Sequence, residues 1–339
     1  MRVAQVAPLY EAVPPGAYGG TERVIATLCD ALVAQGHEVT LFATGDSLTT
    51  ARLQATAPHG WSEDDDVDPK VAECLHIASV FEQADAFDVI HNGFDFLPLT
   101  YSGLVRTPVV TTIHGFSSAR ILAVYERYDA TTTYVAISDS DRDPRLHYAA
   151  TIHHGIDGGA FRLHPAPGDH LLFFGRIHPD KGTARAIEVA RLAGRRLDIG
   201  GIVQDEGYFR DEVAPHLDGV RVRYLGAVAA EQRNEVLGGA HALLHLIDFD
   251  EPFGYSVVEA MACGTPVIAY DRGSMGELID DGVTGWRVHD VAGAVAAVDL
   301  VSDLDRAAIR AATVARFDHA AMVAAYVAVY RDVLAGRAG

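Results

Sequence analysis

The chain has 339 residues, is 49% hydrophobic and carries a formal net charge of −19. That length suits two domains of roughly 100–200 residues, each with its own core. Such an acidic balance, with no basic run to offset it, disfavours nucleic acid and acidic lipid surfaces as partners, and no apolar run approaches the ~18 residues of a membrane span.

The first segment, Met1-Arg2-Val3-Ala4-Gln5-Val6-Ala7-Pro8, reads as a strand (Val3–Leu9) rather than a signal peptide, so a reducing cytoplasm is the expected location. The loop Pro14–Glu22 follows and runs into a helix over Thr21–Gln35, stopped by Gly36. Its glycines, Gly19 and Gly20, let backbone approach a ligand at a helix start that favours anions. The spacing is not G-x-G-x-x-G, so a dinucleotide fingerprint is missing. A plain turn with Thr21 as N-cap explains the loop equally well.

Further strands are predicted over Glu38–Ala43, Asp88–His91, Pro108–His114 and Thr132–Ile137. Lys70, beside the acidic loop Glu63–Asp66, reads as a solvated charge. His114 closes its strand and is a candidate site residue; His91, also at a strand end, is a weaker one. Asp139-Ser140-Asp141 is expected to cap a helix. Gly and Pro cluster over His153–Phe161 and His164–Gly168, where a domain seam is expected.

The second half repeats the alternation. Strands are predicted over Leu171–Gly175, Leu197–Ile202, Val220–Leu225, Ala242–Ile247 and Pro266–Tyr270. Helices are predicted over Thr183–Leu192, Glu231–Leu237 and Tyr255–Cys263. Alternating strands and helices imply two doubly wound parallel sheets, and ligands of such sheets bind beyond the carboxyl ends of the strands, here in a cleft between the domains. Three cysteines, Cys29, Cys74 and Cys263, form no C-x-x-C pair; Cys29 and Cys263 read as small core residues.

Lysine is almost absent: Lys70 and Lys181 stand against 25 arginines. In Phe173–Gly182, Arg176 sits at a strand end and Lys181 just before a helix, and both can reach a phosphate. Surface cations in an ordinary connection would look the same. The most informative stretch is Asp250–Pro266. Glu251 lies on a loop, Pro252-Phe253-Gly254 follows, and Glu259 falls in the early turns of a helix. A carboxylate for hydroxyls, unpaired helix-start N–H groups for phosphate and a second carboxylate for a ribose suit a sugar nucleotide. Asp248-Phe249-Asp250 is a literal D-x-D, but Arg176 and Lys181 could neutralise a diphosphate instead. With no H-E-x-x-H and no spaced Cys/His set, no metal is assigned.

Glu251-Pro-Phe-Gly-Tyr-Ser-Val-Val-Glu259 resembles the E-x7-E signature of the retaining glycosyltransferases of family 4. Ala260–Ala269, Gly276–Ile279, Asp281–Trp286, Gly175-Arg176 with Lys181-Gly182, Gly19-Gly20-Thr21-Glu22 and the strand ending at His114 fit the same pattern in the same order. The resemblance implies an α/β fold of the GT-B type, with two facing Rossmann-like doubly wound domains. Residues 1–160 would bind the acceptor, residues 161–316 the nucleotide sugar, and residues 317–339 would form a helix crossing back to the first domain.

By the same resemblance, Glu251 contacts donor-sugar hydroxyls, Glu259 the ribose, and backbone around Phe253, Gly254, Tyr255 and Ser256 the sugar and diphosphate. Arg176 and Lys181 offset charge on the leaving group, His114 bonds the donor sugar, and Gly19 and Gly20 approach its phosphates. The implied reaction is retaining transfer of a sugar, of the hexosyl type, from a nucleoside-diphosphate sugar to a hydroxyl. That sugar is a co-substrate rather than a resident cofactor. A phosphorylase, a nucleotide-sugar epimerase and a degenerate nucleotide-sugar-binding module remain as alternatives. The linker departs from the usual Asn-Gly-Val-Asp, reading His154-Gly155-Ile156-Asp157, and the chain is short, so the acceptor is open. Its candidate loops are Tyr10–Tyr18, Gly93–Tyr101 and Phe116–Tyr128, and the nucleobase is expected near Gly226–Val228.

Overall fold

The computed structural model of the chain describes residues 1–16, 19–62, 64, 66–116 and 118–336. Tyr18 and Ser117, in two of the candidate acceptor loops, and Glu63 and Asp65 lie outside the described residues. Internal contacts divide the chain into two compact units: Met1–Gly155 with the segment from His319 onward, and Ile156–Asp318.

The first unit holds seven strands: β1 (Arg2–Val6), β2 (Glu38–Phe42), β3 (Arg52–Gln54), β4 (Val89–Asn92), β5 (Val109–Ile113), β6 (Thr133–Ala136) and β7 (Tyr148–Thr151). They form one sheet in the order β3-β2-β1-β4-β5-β6-β7, and every pairing is parallel. Strands buried on both faces need apolar side chains in both directions, which is why β4 and β5 are buried at every position. The Gly20–Ala34 helix follows β1 and buries Val24, Ile25, Leu28, Cys29 and Leu32, the stripe that a 3.6-residue period presents to a sheet. Gly19, with φ 122°, is its N-cap, and Thr21 lies inside the helix rather than capping it. Glycine takes this backbone without a side-chain penalty, so the chain turns one residue-pair earlier than a Thr cap would allow.

The last helix, His319–Gly336, belongs to this unit and is pinned through β4 and β5. Tyr330 Oη lies 2.7 Å from His91 Nδ1, His91 Nε2 2.7 Å from Thr112 Oγ1, and Thr112 Oγ1 3.0 Å from Tyr326 Oη. These groups are buried, and burial pushes the His91 imidazole down to about 3. His91 is therefore a core residue whose polar atoms are satisfied. Asp139-Ser140-Asp141 starts no helix: it lies in a turn between β6 and β7, where the Asp139 carboxylate accepts from Thr151.

The second unit holds β8 (His170–Phe174), β9 (Arg196–Gly200), β10 (Val222–Gly226), β11 (Ala242–His245), β12 (Val267–Tyr270) and β13 (Gly285–Val288). They form a second parallel sheet in the order β10-β9-β8-β11-β12-β13. Strand order reverses between β1 and β4 in the first unit and between β8 and β11 in the second. Loops diverge at such a reversal and leave a crevice beyond the strand ends. The Gly19–Gly20 loop leaves β1; the loops bearing Lys181 and Glu251 leave β8 and β11. Among the described residues, no helix is long and apolar enough to cross a membrane.

Candidate active site

The carboxyl ends of β8 and β11 bring Lys181 and Glu251 together. After β8, the turn Pro179–Lys181 ends at Gly182, which has φ 74°. A Cβ on Gly182 would stand 2.0 Å from the Leu246 carbonyl oxygen, so only glycine lets this turn pack on the end of β11. The Asp248 N–H donates to the Asp180 carbonyl at 2.8 Å and ties the two loops at the backbone. Lys181 Nζ then donates to Glu251 Oε2 at 2.8 Å, with both side chains almost buried. The ammonium also lies 4.5 Å from the centroid of the Phe249 ring, which confines it further.

A second loop braces Glu251 from the other side. Ser274 N–H donates to the Glu251 carbonyl at 2.9 Å, and Ser274 Oγ donates to the Phe253 carbonyl at 2.6 Å. Arg272 Nη1 donates to the Asp248 carbonyl at 2.9 Å. Between Arg272 and Ser274 stands Gly273, where a Cβ would come within 2.4 Å of both Glu251 N and Glu251 O.

His245, the last residue of β11, is buried, and its Nε2 lies 3.6 Å from the same Glu251 oxygen. Burial by itself would raise the Glu251 carboxyl; His245 and the Lys181 ammonium more than reverse this and hold it at about 2. Glu251 is thus a permanent carboxylate at neutral pH. It is suited to accepting hydrogen bonds and facing positive charge, and unsuited to giving up a proton. His245 was not singled out from the sequence. It stands inside the apolar run Ala242–Ile247, and a polar residue at a strand end, six before the motif carboxylate, was the only signal.

The helix after Glu251 runs Tyr255–Ala262 and is capped by Gly254 at φ 89°. Val257 and Val258 N–H groups turn back to the Gly254 carbonyl at 3.0 and 3.4 Å, while Ser256 N–H lies in the first turn, ahead of any intrahelical acceptor. Phe253 packs its ring edge-on to Phe317 and is buried, so only its backbone can serve a ligand. Glu259, one turn further, is 2% exposed. Both its oxygens accept from Arg233 Nη1, at 2.7 and 2.8 Å.

The remaining candidates are placed as follows. Arg176 lies just beyond β8, donates to Gln204 and stands 4.0 Å from Asp180. Gly19, Gly20 and His114 belong to the first unit. A Cβ on Gly20 would meet nothing within 4 Å, whereas one on Gly19 would meet Glu11, Pro15 and Glu22. His114 Nδ1 stands 3.5 Å from His154 Nε2, and burial lowers its imidazole to about 4. It is therefore neutral near pH 7 and can accept or donate one hydrogen bond from each ring nitrogen. Asp248 is paired with Arg185. Among the described residues, no group of three or more His, Cys, Asp or Glu side chains converges as a metal site would.

With this geometry in place, comparison with known proteins is informative. The family model described as Glycosyltransferase Family 4 matches residues 18–157, and that described as Glycosyl transferases group 1 matches residues 162–310. Glycogen synthase of Mycobacterium tuberculosis is 28% identical over 379 aligned positions, covering 93% of this chain and 89% of that enzyme. The crystal structure of AviGT4, a glycosyltransferase involved in avilamycin A biosynthesis, is 26% identical with a TM-score of 0.74, covering 99% of this chain and 98% of that one. Anabaena HepE, solved with UDP and glucose, shares the fold at 18% identity and a TM-score of 0.75, covering 98% of this chain and 100% of that one. The two matched stretches, laid on two doubly wound parallel sheets, give one conclusion: the chain belongs to glycosyltransferase family 4 and has its α/β GT-B fold.

Proposed function

We propose that this glycosyltransferase moves a hexosyl group from a nucleoside-diphosphate sugar to an acceptor hydroxyl with retention of anomeric configuration. The observation that carries the reading is the Lys181–Glu251 pair at the β8/β11 reversal, beside the start of the Tyr255–Ala262 helix. HepE, a structural relative, was solved with a nucleoside diphosphate and a sugar.

In this reading the second unit holds the donor and the first the acceptor. The bond between the anomeric carbon and the leaving phosphate oxygen breaks, the acceptor oxygen bonds to that carbon on the same face, and the acceptor proton passes to the leaving diphosphate. Lys181, Arg176 and the backbone N–H groups at Tyr255 and Ser256 stabilise charge growing on the diphosphate. That charge set serves in place of a metal, so a chelator leaves turnover unchanged. One bond from Lys181 leaves Glu251 lone pairs for sugar hydroxyls, and its negative charge favours a cationic anomeric carbon. Glu259 takes the ribose.

The test is steady-state kinetics with product analysis. Glu251→Ala lowers kcat at least about 100-fold. Glu259→Ala raises the donor KM about tenfold or more while kcat changes little. Anomeric proton couplings of the product report the donor's own configuration. Unchanged kinetics in both variants, or an inverted product, overturns the reading. Consumption of free phosphate, or formation of an epimerised nucleotide sugar without an acceptor, points instead to a phosphorylase or an epimerase.

A further inference from the structure

We propose that Arg233 is a positioning residue for the donor ribose, acting through Glu259; this rests on the reading of Glu259 given above. Arg233 lies on the Ala230–Gly238 helix, where Glu231, Gln232 and Glu235 are exposed and Asn234 is half-buried, bonded to Arg162 N–H and the Ala160 carbonyl. Arg233 is the one buried charged residue of this helix, and its side chain is 10% exposed. Its Nη1 bonds both Glu259 oxygens, and its guanidinium carbon lies 5.2 Å from the centroid of the Phe174 ring at the end of β8.

Taking a guanidinium and a carboxylate out of water is costly, and a pair that served packing alone could be replaced by apolar residues with little loss. The carboxylate of this pair stands on the helix whose start meets the Glu251 loop. One donor shared by two oxygens fixes the direction in which the Glu259 carboxylate points, and the Phe174 ring confines the donor. Each Glu259 oxygen retains a lone pair, so that together they can accept from the vicinal hydroxyls of a ribose. In this proposal Arg233 acts through the carboxylate it bonds. The carboxylate's orientation, and with it the preference for ribose, depends on this contact.

The experiment titrates the intact protein with UDP, GDP and ADP and with the 2′-deoxy and 3′-deoxy forms of whichever binds. The variants are Arg233→Leu, Arg233→Lys, Glu259→Gln and the double Arg233→Leu/Glu259→Gln. Arg233→Leu weakens the ribonucleotide about tenfold, as the loss of a charge-assisted contact predicts, and brings its ratio to the deoxy forms close to one, as Glu259→Gln does. Arg233→Lys restores part of the ratio, and kcat at saturating donor is little changed.

Full ribose preference in Arg233→Leu, with loss of preference in Glu259→Gln, overturns this inference and leaves the proposed function standing. Full preference in Glu259→Gln, or binding of none of the nucleotides, overturns the ribose reading itself. If Arg233→Leu alone does not fold, the double variant decides, because removing both charges removes the uncompensated one. It must match Glu259→Gln in affinity, and a further additive loss contradicts action through Glu259.

Discussion

Glycines with no tolerance for a side chain set the Glu251 carboxylate in place. Gly273 has φ 54° and abuts the Glu251 backbone, and Gly182 does the same for the end of β11. Gly273→Ala pushes the brace away from Glu251 and strains a left-handed residue. It lowers stability by about 1–3 kcal/mol and reduces kcat more than it raises donor KM. Thermal unfolding beside steady-state kinetics checks this; wild-type turnover in Gly273→Ala would show that the brace does not position the carboxylate.

The candidates Arg176, Lys181 and Glu251 could be picked out in the sequence because Arg176 closes a predicted strand, Lys181 is one of two lysines and stands just before a helix, and Glu251 lies on a loop ahead of a helix. The closeness of Lys181 to Glu251, 70 positions apart, follows from the β8–β11 pairing and could not be read from spacing. His245 was hidden by an apolar run, and Arg233 by a helix of polar residues that reads as a solvated face. Gly273 was not singled out, because its constraint comes from the Glu251 loop, which only the packing of the two loops reveals.

Elements buried on both faces were the easiest to foresee. The Thr183–Leu192 helix has the bounds that its pattern predicts, and the central strands of both sheets agree to within a few residues. Three edge strands escaped: β3, β7 and β13 are three or four residues long and partly exposed, so neither an apolar run nor a clean alternation marks them. The Pro69–Phe81 helix was not foreseen, although Asp68 caps it through Lys70 and Val71 N–H and Pro69 opens it. Lys70 belongs to that first turn and is exposed.

The Ala230–Gly238 helix, the Tyr255–Ala262 helix and the turn after it are joined by Arg306. It is 6% exposed and donates to the carbonyls of His164, Ala240 and Gly238 and to Thr265 Oγ1. Arg310 adds bonds to the Ala262 and Gly158 carbonyls, which places a cation at the negative end of the Tyr255–Ala262 helix. Arg306→Leu strands several buried acceptors and costs at least about 3 kcal/mol. Donor KM of the folded variant stays near wild type, because the helix start is unaltered. A large rise in KM with unchanged thermal stability would contradict this division between scaffold and site.

Across the whole molecule, several histidines are buried in their neutral form. Burial lowers His76 to about 4 and His91 to about 3, and drives His154 well down, chiefly by desolvation. In the unfolded chain each titrates near 6.5. As pH falls below about 6.5 the unfolded chain takes up these protons first. The stability they allow is therefore present above that pH and is lost progressively towards pH 4. Each contributes a slope of about 1.4 kcal/mol per pH unit over that range. Glu251 adds a later loss, present above about 4.5 and disappearing as pH falls towards about 2. Urea midpoints at pH 7 and pH 5 check the first effect: the account expects a clear fall, and equal midpoints would contradict it.

The most direct test of the central claim is a crystal structure of the protein with the nucleoside diphosphate that stabilises it in a thermal-shift screen of UDP, GDP, dTDP and ADP. The account predicts the diphosphate against Lys181, Arg176 and the Ser256 N–H, with the ribose hydroxyls of the nucleoside beside Glu259. A nucleotide bound elsewhere, with Lys181 and Glu251 touching no part of it, would contradict the account.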